Sequence, residues 1–133
     1  MTITIHEKEM NEVLYQLFKQ YQFSDEKALI LARVHTENTL YGVYSHGINR
    51  VSQFIDFVKK GIVHIDAAAE KVESFGSIER WDGNFGSGVI NAIKCTSRAI
   101  ELAKANGMGL VALRNTNHWM RGGYYGWQAA NED

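Results

Sequence analysis

The chain of 133 residues suits one domain, or one plus a small satellite, and should bury roughly two-thirds of its unfolded surface. Its 45% hydrophobic and 22% charged residues are ordinary for a soluble globular protein, and a formal net charge of -1 gives no electrostatic reason to expect nucleic acid or an acidic membrane as partner. The single Cys95 excludes an internal disulfide and fits a reducing compartment. No apolar run approaches the ~20 residues of a bilayer span, and the N-terminus lacks the basic start and apolar core of a secretion signal, so the expectation is a cytoplasmic protein. Proline is absent, where average usage would give about six or seven, so the loops must be shaped by glycine.

In chain order, Thr4-Ile5-His6-Glu7 reads as a capping box with Thr4 as N-cap. Met10, Val13, Leu14, Leu17, Phe18 and Tyr21 follow at helical spacing. Ser24-Asp25-Glu26 opens a second helix whose expected buried face carries Ala28, Leu31, Ala32 and His35, and which fades near Leu40 to Gly42. The stretch Tyr44-Ser45-His46-Gly47-Ile48-Asn49-Arg50 connects it to a third helix carrying Val51, Phe54, Ile55 and Val58, closed by Lys59-Lys60-Gly61. Residues 1–61 are therefore expected to form an N-terminal helical subdomain.

From residue 62 the character changes. Val72 to Phe75 and Ile78 to Trp81 have strand-like composition around Gly76-Ser77, the pattern of a hairpin. A glycine-bearing turn, Asp82 to Gly88, leads into a long helix with Val89, Ile90, Ile93, Ala99, Ile100, Leu102 and Ala103, ending at Asn106-Gly107. Gly109 to Leu113 is apolar enough to be a strand buried on both faces. A polar loop from Arg114 to Gly123 and a short helix from Tyr124 to Ala130 follow. This is the rhythm of an α/β layer, so the expected class is α+β or α/β, with residues 62–133 as the second domain. The layer reads as incomplete: so few strands offer little apolar face to share and leave an unpaired edge.

Two stretches carry candidate chemistry. In the first, a histidine lies four residues before an arginine: an imidazole moves protons near neutral pH, and a guanidinium grips a carboxylate through paired hydrogen bonds. Reduction of a 2-keto acid needs both. The competing reading is that Ser45 and His46 merely cap the third helix and Arg50 lies on its surface. The second stretch is Asn115 to Gly123, with Asn117, His118 and Arg121 placed between a strand and a helix, where helix N-termini and strand C-terminal ends receive anions and ligands. Two tryptophans and three glycines between Asn117 and Trp127 are a costly composition for a plain polar loop. Gly83, Gly86 and Gly88 are spaced G-x-x-G-x-G, which matches neither G-x-G-x-x-G nor the P-loop, and a tight strand-to-helix turn is the better reading. Cys95 has no motif partner, His6 and His64 read as solvated, His35 as satisfied within its helix, and no zinc ligand set stands near His46 or His118.

Together these stretches resemble the malate/L-lactate dehydrogenase family that is unrelated to the Rossmann-fold enzymes, most closely its diketogulonate reductase branch. Tyr44-Ser45-His46-Gly47-Ile48-Asn49-Arg50 matches the family's Ser-His-Gly-x-x-Arg signature, and Ala99 to Ala103, Gly109 to Asn115, Asn117 to Gly123 and Tyr125 to Ala130 continue the match; Trp119-Met120-Arg121 points to the branch. The resemblance spans the chain but only roughly the first 40% of a typical member. It implies an L-sulfolactate dehydrogenase-like fold, truncated here, and NAD(P)H-dependent reduction of a 2-keto acid, with NADH favoured, 2,3-diketo-L-gulonate as substrate and a homodimer in full-length members. It implies His46 as the acid for the carbonyl oxygen and Arg50 as the carboxylate clamp. Ser45 would orient His46, and Asn117, His118 and Arg121 would line the same pocket. It places the cofactor-binding residues, with an aspartate that orients the histidine, mostly beyond Asp133; no metal is expected, given the absence of a ligand set near His46 or His118. A catalytically silent fragment that binds a small acid or oligomerises is the alternative. Family members usually carry proline two residues after the signature arginine and again after the third helix; here those places read Val51-Ser52-Gln53 and His64 to Ala69.

Overall fold

A computed structural model of the chain describes residues 3–132. Among them are five helices and three strands, in two compact units that meet in sequence between Lys60 and Gly61.

The first unit holds α1 (Glu7–Gln20), α2 (Asp25–Leu40), a 3₁₀ turn at Tyr44–His46 and α3 (Ile48–Lys59). The expected capping box is not the one used. The cap is His6, whose Nδ1 accepts from the Lys8 amide at 3.2 Å while its carbonyl accepts from Met10 at 3.0 Å, so the helix starts two residues later than the Thr4 box requires. Val13, on the expected apolar face, is 61% exposed; Leu14 and Phe18 carry the contact. Ser24 caps α2 as expected, its Oγ accepting from the Lys27 amide at 3.3 Å. Ala28, Leu31, Ala32 and His35 are all buried. Phe18 meets Phe23 and Phe54 edge-on at 6.0 and 5.8 Å. Each such ring, removed from water, contributes about 1.5–3 kcal/mol.

His35 lies among these rings, 5.6 Å from Phe18 and 6.0 Å from Phe54, with no exposed surface. Its Nδ1 bonds to the Leu31 carbonyl at 2.8 Å, and its Nε2 has no hydrogen-bond partner. Burial pushes its pKa down to about 4 from 6.5. The unfolded chain therefore binds the proton first. The neutral ring's contribution is complete above pH 6.5 and disappears as pH falls toward 4, an effect on the order of 3 kcal/mol. Protection factors of the amides in α1 to α3, corrected for the intrinsic pH dependence of exchange, should fall as pH drops across that window, and His35→Leu should flatten the dependence; an unchanged slope would refute the assignment.

The second unit contains β1 (Glu70–Phe75), β2 (Ile78–Asp82), α4 (Gly88–Asn106), β3 (Leu110–Arg114) and α5 (Gly122–Ala130). The hairpin forms as expected, with Phe75 opposite Ile78 and Gly76 at φ +57 taking the turn position that excludes most side chains. A register shift between Lys71 and Glu73 leaves Val72 as a bulge. β2 is central, antiparallel to β1 and parallel to β3, and α4 makes the crossover. The core gathers Ala69, Trp81 and Cys95, with Val111 and Leu113 packed against it.

One expectation fails here. β3 is not buried on both faces: Val111 and Leu113 face the core, while Leu110 is 46% exposed and Ala112 and Arg114 are exposed too. It is an edge strand of the described sheet, and helix packing covers only one of its faces.

β2 turns an unexpected residue inward. Glu79 is 1% exposed while Ile78 is 38% exposed. The Glu79 carboxylate receives Arg98 Nε at 3.1 and 3.0 Å, Arg98 Nη2 at 2.8 Å and Trp81 Nε1 at 2.8 Å, with Lys71 Nζ at 3.7 Å. The Arg98 hydrogen bonds hold its pKa down to about 2 against the opposing effect of burial. Cys95, buried in this same core, has its thiol pushed up to about 11 by burial, which keeps it protonated and unreactive.

Candidate active site

In the first unit the histidine turn is built by backbone bonds from the end of α2. Val43 N donates to Asn38 O at 2.8 Å, His46 N to Val43 O at 3.0 Å and Gly47 N to Tyr44 O at 3.1 Å. Ser45 Oγ lies 2.9 Å from His46 Nδ1. A hydroxyl both donates and accepts, so it can hold Nδ1 whether the ring is neutral or cationic, and it leaves proton exchange to Nε2. Arg50 Nε donates to the Ser45 carbonyl at 3.2 Å, and Arg50 Nη1 donates to Gln53 Oε1. Ser45, His46 and Arg50 thus form one cluster at the start of α3.

The capping alternative is not what the structure contains. The N-cap of α3 is Gly47, and the helix's first amide, Ile48 N, is taken by a side chain of α2. That side chain is Thr39, whose Oγ1 accepts from Ile48 N at 2.8 Å and donates to the His35 carbonyl at 2.7 Å. Fully buried Asn38 donates to the His46 carbonyl at 3.0 Å. The sequence reading missed both residues; the available signal was a run of polar side chains on the buried face just before the histidine stretch.

In the second unit the loop after β3 is tightly held. Asn117 Nδ2 reaches three backbone carbonyls, Ile62 at 3.2 Å, Phe85 at 2.8 Å and Gly86 at 3.0 Å, so its amide nitrogen is engaged in tying the loops together. His118 Nδ1 accepts from the Met120 amide at 2.8 Å, which places the proton of the neutral ring on Nε2. Met120 is buried at φ +66. Trp119 stacks on Tyr125 at 5.5 Å, and the Tyr125 hydroxyl donates to the Trp119 carbonyl. Arg121 occupies the N-cap of α5 with its guanidinium 4.2 Å over the Trp127 ring. His46 and Arg50 therefore belong to one unit and Asn117, His118 and Arg121 to the other, each set ordered by contacts within its own unit.

The glycine turn is a close-packing device. A Cβ on Gly88 would stand 2.1 Å from the Asn117 carbonyl oxygen and 2.3 Å from that of His118, and one on Gly83 would stand 2.7 Å from Asn91 Nδ2. Backbone carbonyls fill the space a phosphate cradle would need, so this turn does not fit the phosphates of a dinucleotide. Among the described residues, no group of three or more His, Cys, Asp or Glu side chains could hold a metal ion. No described helix is long and apolar enough to cross a membrane.

The family described as malate/L-lactate dehydrogenase matches residues 5–133. The chain belongs to this family. It is 44% identical over 125 residues to the 2,3-diketo-L-gulonate reductase of Salmonella schwarzengrund (strain CVM19633), covering 94% of this chain and 38% of that relative. Among solved structures, sulfolactate dehydrogenase from Methanocaldococcus jannaschii superposes with a TM-score of 0.93 at 31% identity, over 98% of this chain and 38% of that one. Malate dehydrogenase from Entamoeba histolytica does so with a TM-score of 0.94 at 32% identity, over 99% and 37%. The sulfolactate dehydrogenase-like fold expected from the sequence is the one found. Members of the malate/L-lactate dehydrogenase family are oxidoreductases, and this chain spans 38% of the length of the curated relative it matches.

Proposed function

We propose that the chain carries the substrate-handling residues of an NAD(P)H-dependent reductase of 2-keto acids, with NADH as the favoured cofactor and 2,3-diketo-L-gulonate as the favoured substrate. The reading further places the reaction in the cytoplasm, in a homodimer. The observation that carries it is the cluster at the start of α3: Ser45 Oγ 2.9 Å from His46 Nδ1, with the Arg50 guanidinium on the Ser45 carbonyl. A nicotinamide, when bound, supplies the hydride; the glycine turn offers it no cradle, and no contact of this chain is assigned to it.

The chain's own contribution is the proton and the anchor. As the carbonyl carbon accepts an electron pair, the C=O π bond breaks and its oxygen becomes basic. His46 gives that oxygen its Nε2 proton while Ser45 holds Nδ1, and a positioned acid of this kind is worth about 10²–10⁴-fold. Arg50 grips the carboxylate. Within the second unit, His118 donates from Nε2 to a hydroxyl or keto oxygen, Arg121 offers its charge at the start of α5, and Asn117 shapes the loop that carries both.

The test uses NADH oxidation monitored with 2,3-diketo-L-gulonate and simple 2-keto acids. It is run on the chain itself and on a chimera in which the chain replaces the matching 125 residues of the Salmonella reductase. The chimera should turn over. A chimera that folds and binds NADH but reduces none of these acids would defeat the reading. A chain that binds the acid but neither binds nor oxidises NADH by itself would be the silent binding module. In the active chimera Arg50→Lys should raise the Michaelis constant for the acid by about tenfold or more, because a point charge cannot reproduce a two-pronged grip. An unchanged constant would remove Arg50 from the clamp role.

A further inference from the structure

We propose that Asn38 and Thr39, on the last turn of α2, are positioning residues that set the orientation of His46; the inference rests on the reading of His46 as the proton donor. Asn38 brackets the turn from both ends. Its carbonyl accepts from Val43 N at 2.8 Å and its side-chain nitrogen donates to the His46 carbonyl at 3.0 Å. The residue has no exposed surface, so these groups have no solvent to fall back on. Thr39 fixes the other side of the histidine. Its hydroxyl donates to the His35 carbonyl at 2.7 Å, which orients the oxygen's lone pair to accept from Ile48 N at 2.8 Å.

Gly47 is the third part of the clamp. A Cβ there would stand 2.3 Å from Thr39 Oγ1 and 2.8 Å from the Thr39 amide nitrogen, so the turn reaches its threonine only because residue 47 has no side chain. The peptide plane after His46 is thereby tied directly to α2 through Asn38, and the plane before it indirectly, through Val43, whose own amide bonds to Asn38, so the imidazole pivots on a held Cα. Catalytic groups need this: a displacement of about 1 Å can cost on the order of 100-fold in rate. A side-chain cap supplied by Ser45 or His46 would have drawn one of them onto the helix amides. Thr39 takes that duty and leaves Ser45 paired with the ring.

The experiment is NMR on the 133-residue chain labelled with 15N, reading amide exchange at Ile48 and the ring-nitrogen shifts of His46. Thr39→Val keeps the shape and removes the hydroxyl. It should speed Ile48 exchange about fivefold, the loss of one ordinary hydrogen bond. It should also shift the Nδ1/Nε2 tautomer balance of His46 while the rings of His64 and His118 keep theirs. Thr39→Ser should restore both signals, and Asn38→Leu should disturb the His46 ring in the same sense. If Ile48 exchange rises and the His46 ring does not respond, Thr39 is a helix cap only and the proposal is overturned; the same follows if neither signal moves. Because Thr39→Val preserves volume, the test stands even where Asn38→Leu fails to fold. Failure of the proton-donor reading shows separately, in the turnover of a His46 variant.

Discussion

Replacing His46 by Asn in the chimera should lower reductive turnover at least a hundredfold and leave NADH affinity nearly unchanged. Asparagine has similar bulk and a polar tip that can still meet Ser45, so the turn should survive. What it lacks is a group that both carries and releases a proton near neutral pH. The carbonyl oxygen would then take its proton from water, and the contribution of a positioned acid, about 10²–10⁴-fold, is lost. Turnover within a few-fold of the parent would remove His46 from the acid role.

The second large effect concerns stability rather than chemistry. Arg98→Met should destabilise the sheet unit by about 3–5 kcal/mol, because it leaves the Glu79 carboxylate buried without its main partner. Lys71, at 3.7 Å and half-exposed, is too distant and too mobile to replace a guanidinium that makes three contacts at 2.8–3.1 Å. The double variant Glu79→Leu with Arg98→Met should recover most of the loss, since an apolar pair has no charge to desolvate. The pH dependence has a definite sign. Glu79 is held at about 2, below the 4.5 of an ordinary glutamate, so its ion pair contributes fully above pH 4.5 and is lost as pH falls toward 2. That window lies below the one set by His35, so acid should loosen the helical unit first. Chemical denaturation of the parent and the two variants at pH 7 checks the energies; a single variant as stable as the parent would show that water reaches Glu79.

Much of the fold was legible because it is decided by near neighbours. Ser24 and the acids after it start α2, Gly76 fits the hairpin turn, and the 3.6-residue spacing of Val51, Phe54 and Ile55 names the buried face of α3. The histidine and arginine could be paired by the same logic, since four residues span little more than a turn of chain. Other features depend on residues far apart in sequence. Glu79 points inward because Arg98, nineteen residues on, sits across from it on α4. No local pattern in Ile-Glu-Arg-Trp could say that the isoleucine, not the glutamate, faces out. The Thr4 box lost to His6 because two starts, two residues apart, were both chemically acceptable.

What the sequence determined alone was the set of helices and strands, the family, and the placement of a histidine and an arginine in one short stretch, the pair on which the proposed function rests. Hydrophobic period, cap chemistry and motif spacing are local quantities, and the linear order of residues contains them. Only the tertiary structure decided that Thr39 caps α3 in place of Ser45 and His46, that carbonyls at residues 117 and 118 fill the glycine turn, and that β3 shows one face to solvent. Those depend on which backbone approaches which side chain across the fold, and contacts between distant residues leave no periodic trace in a single chain.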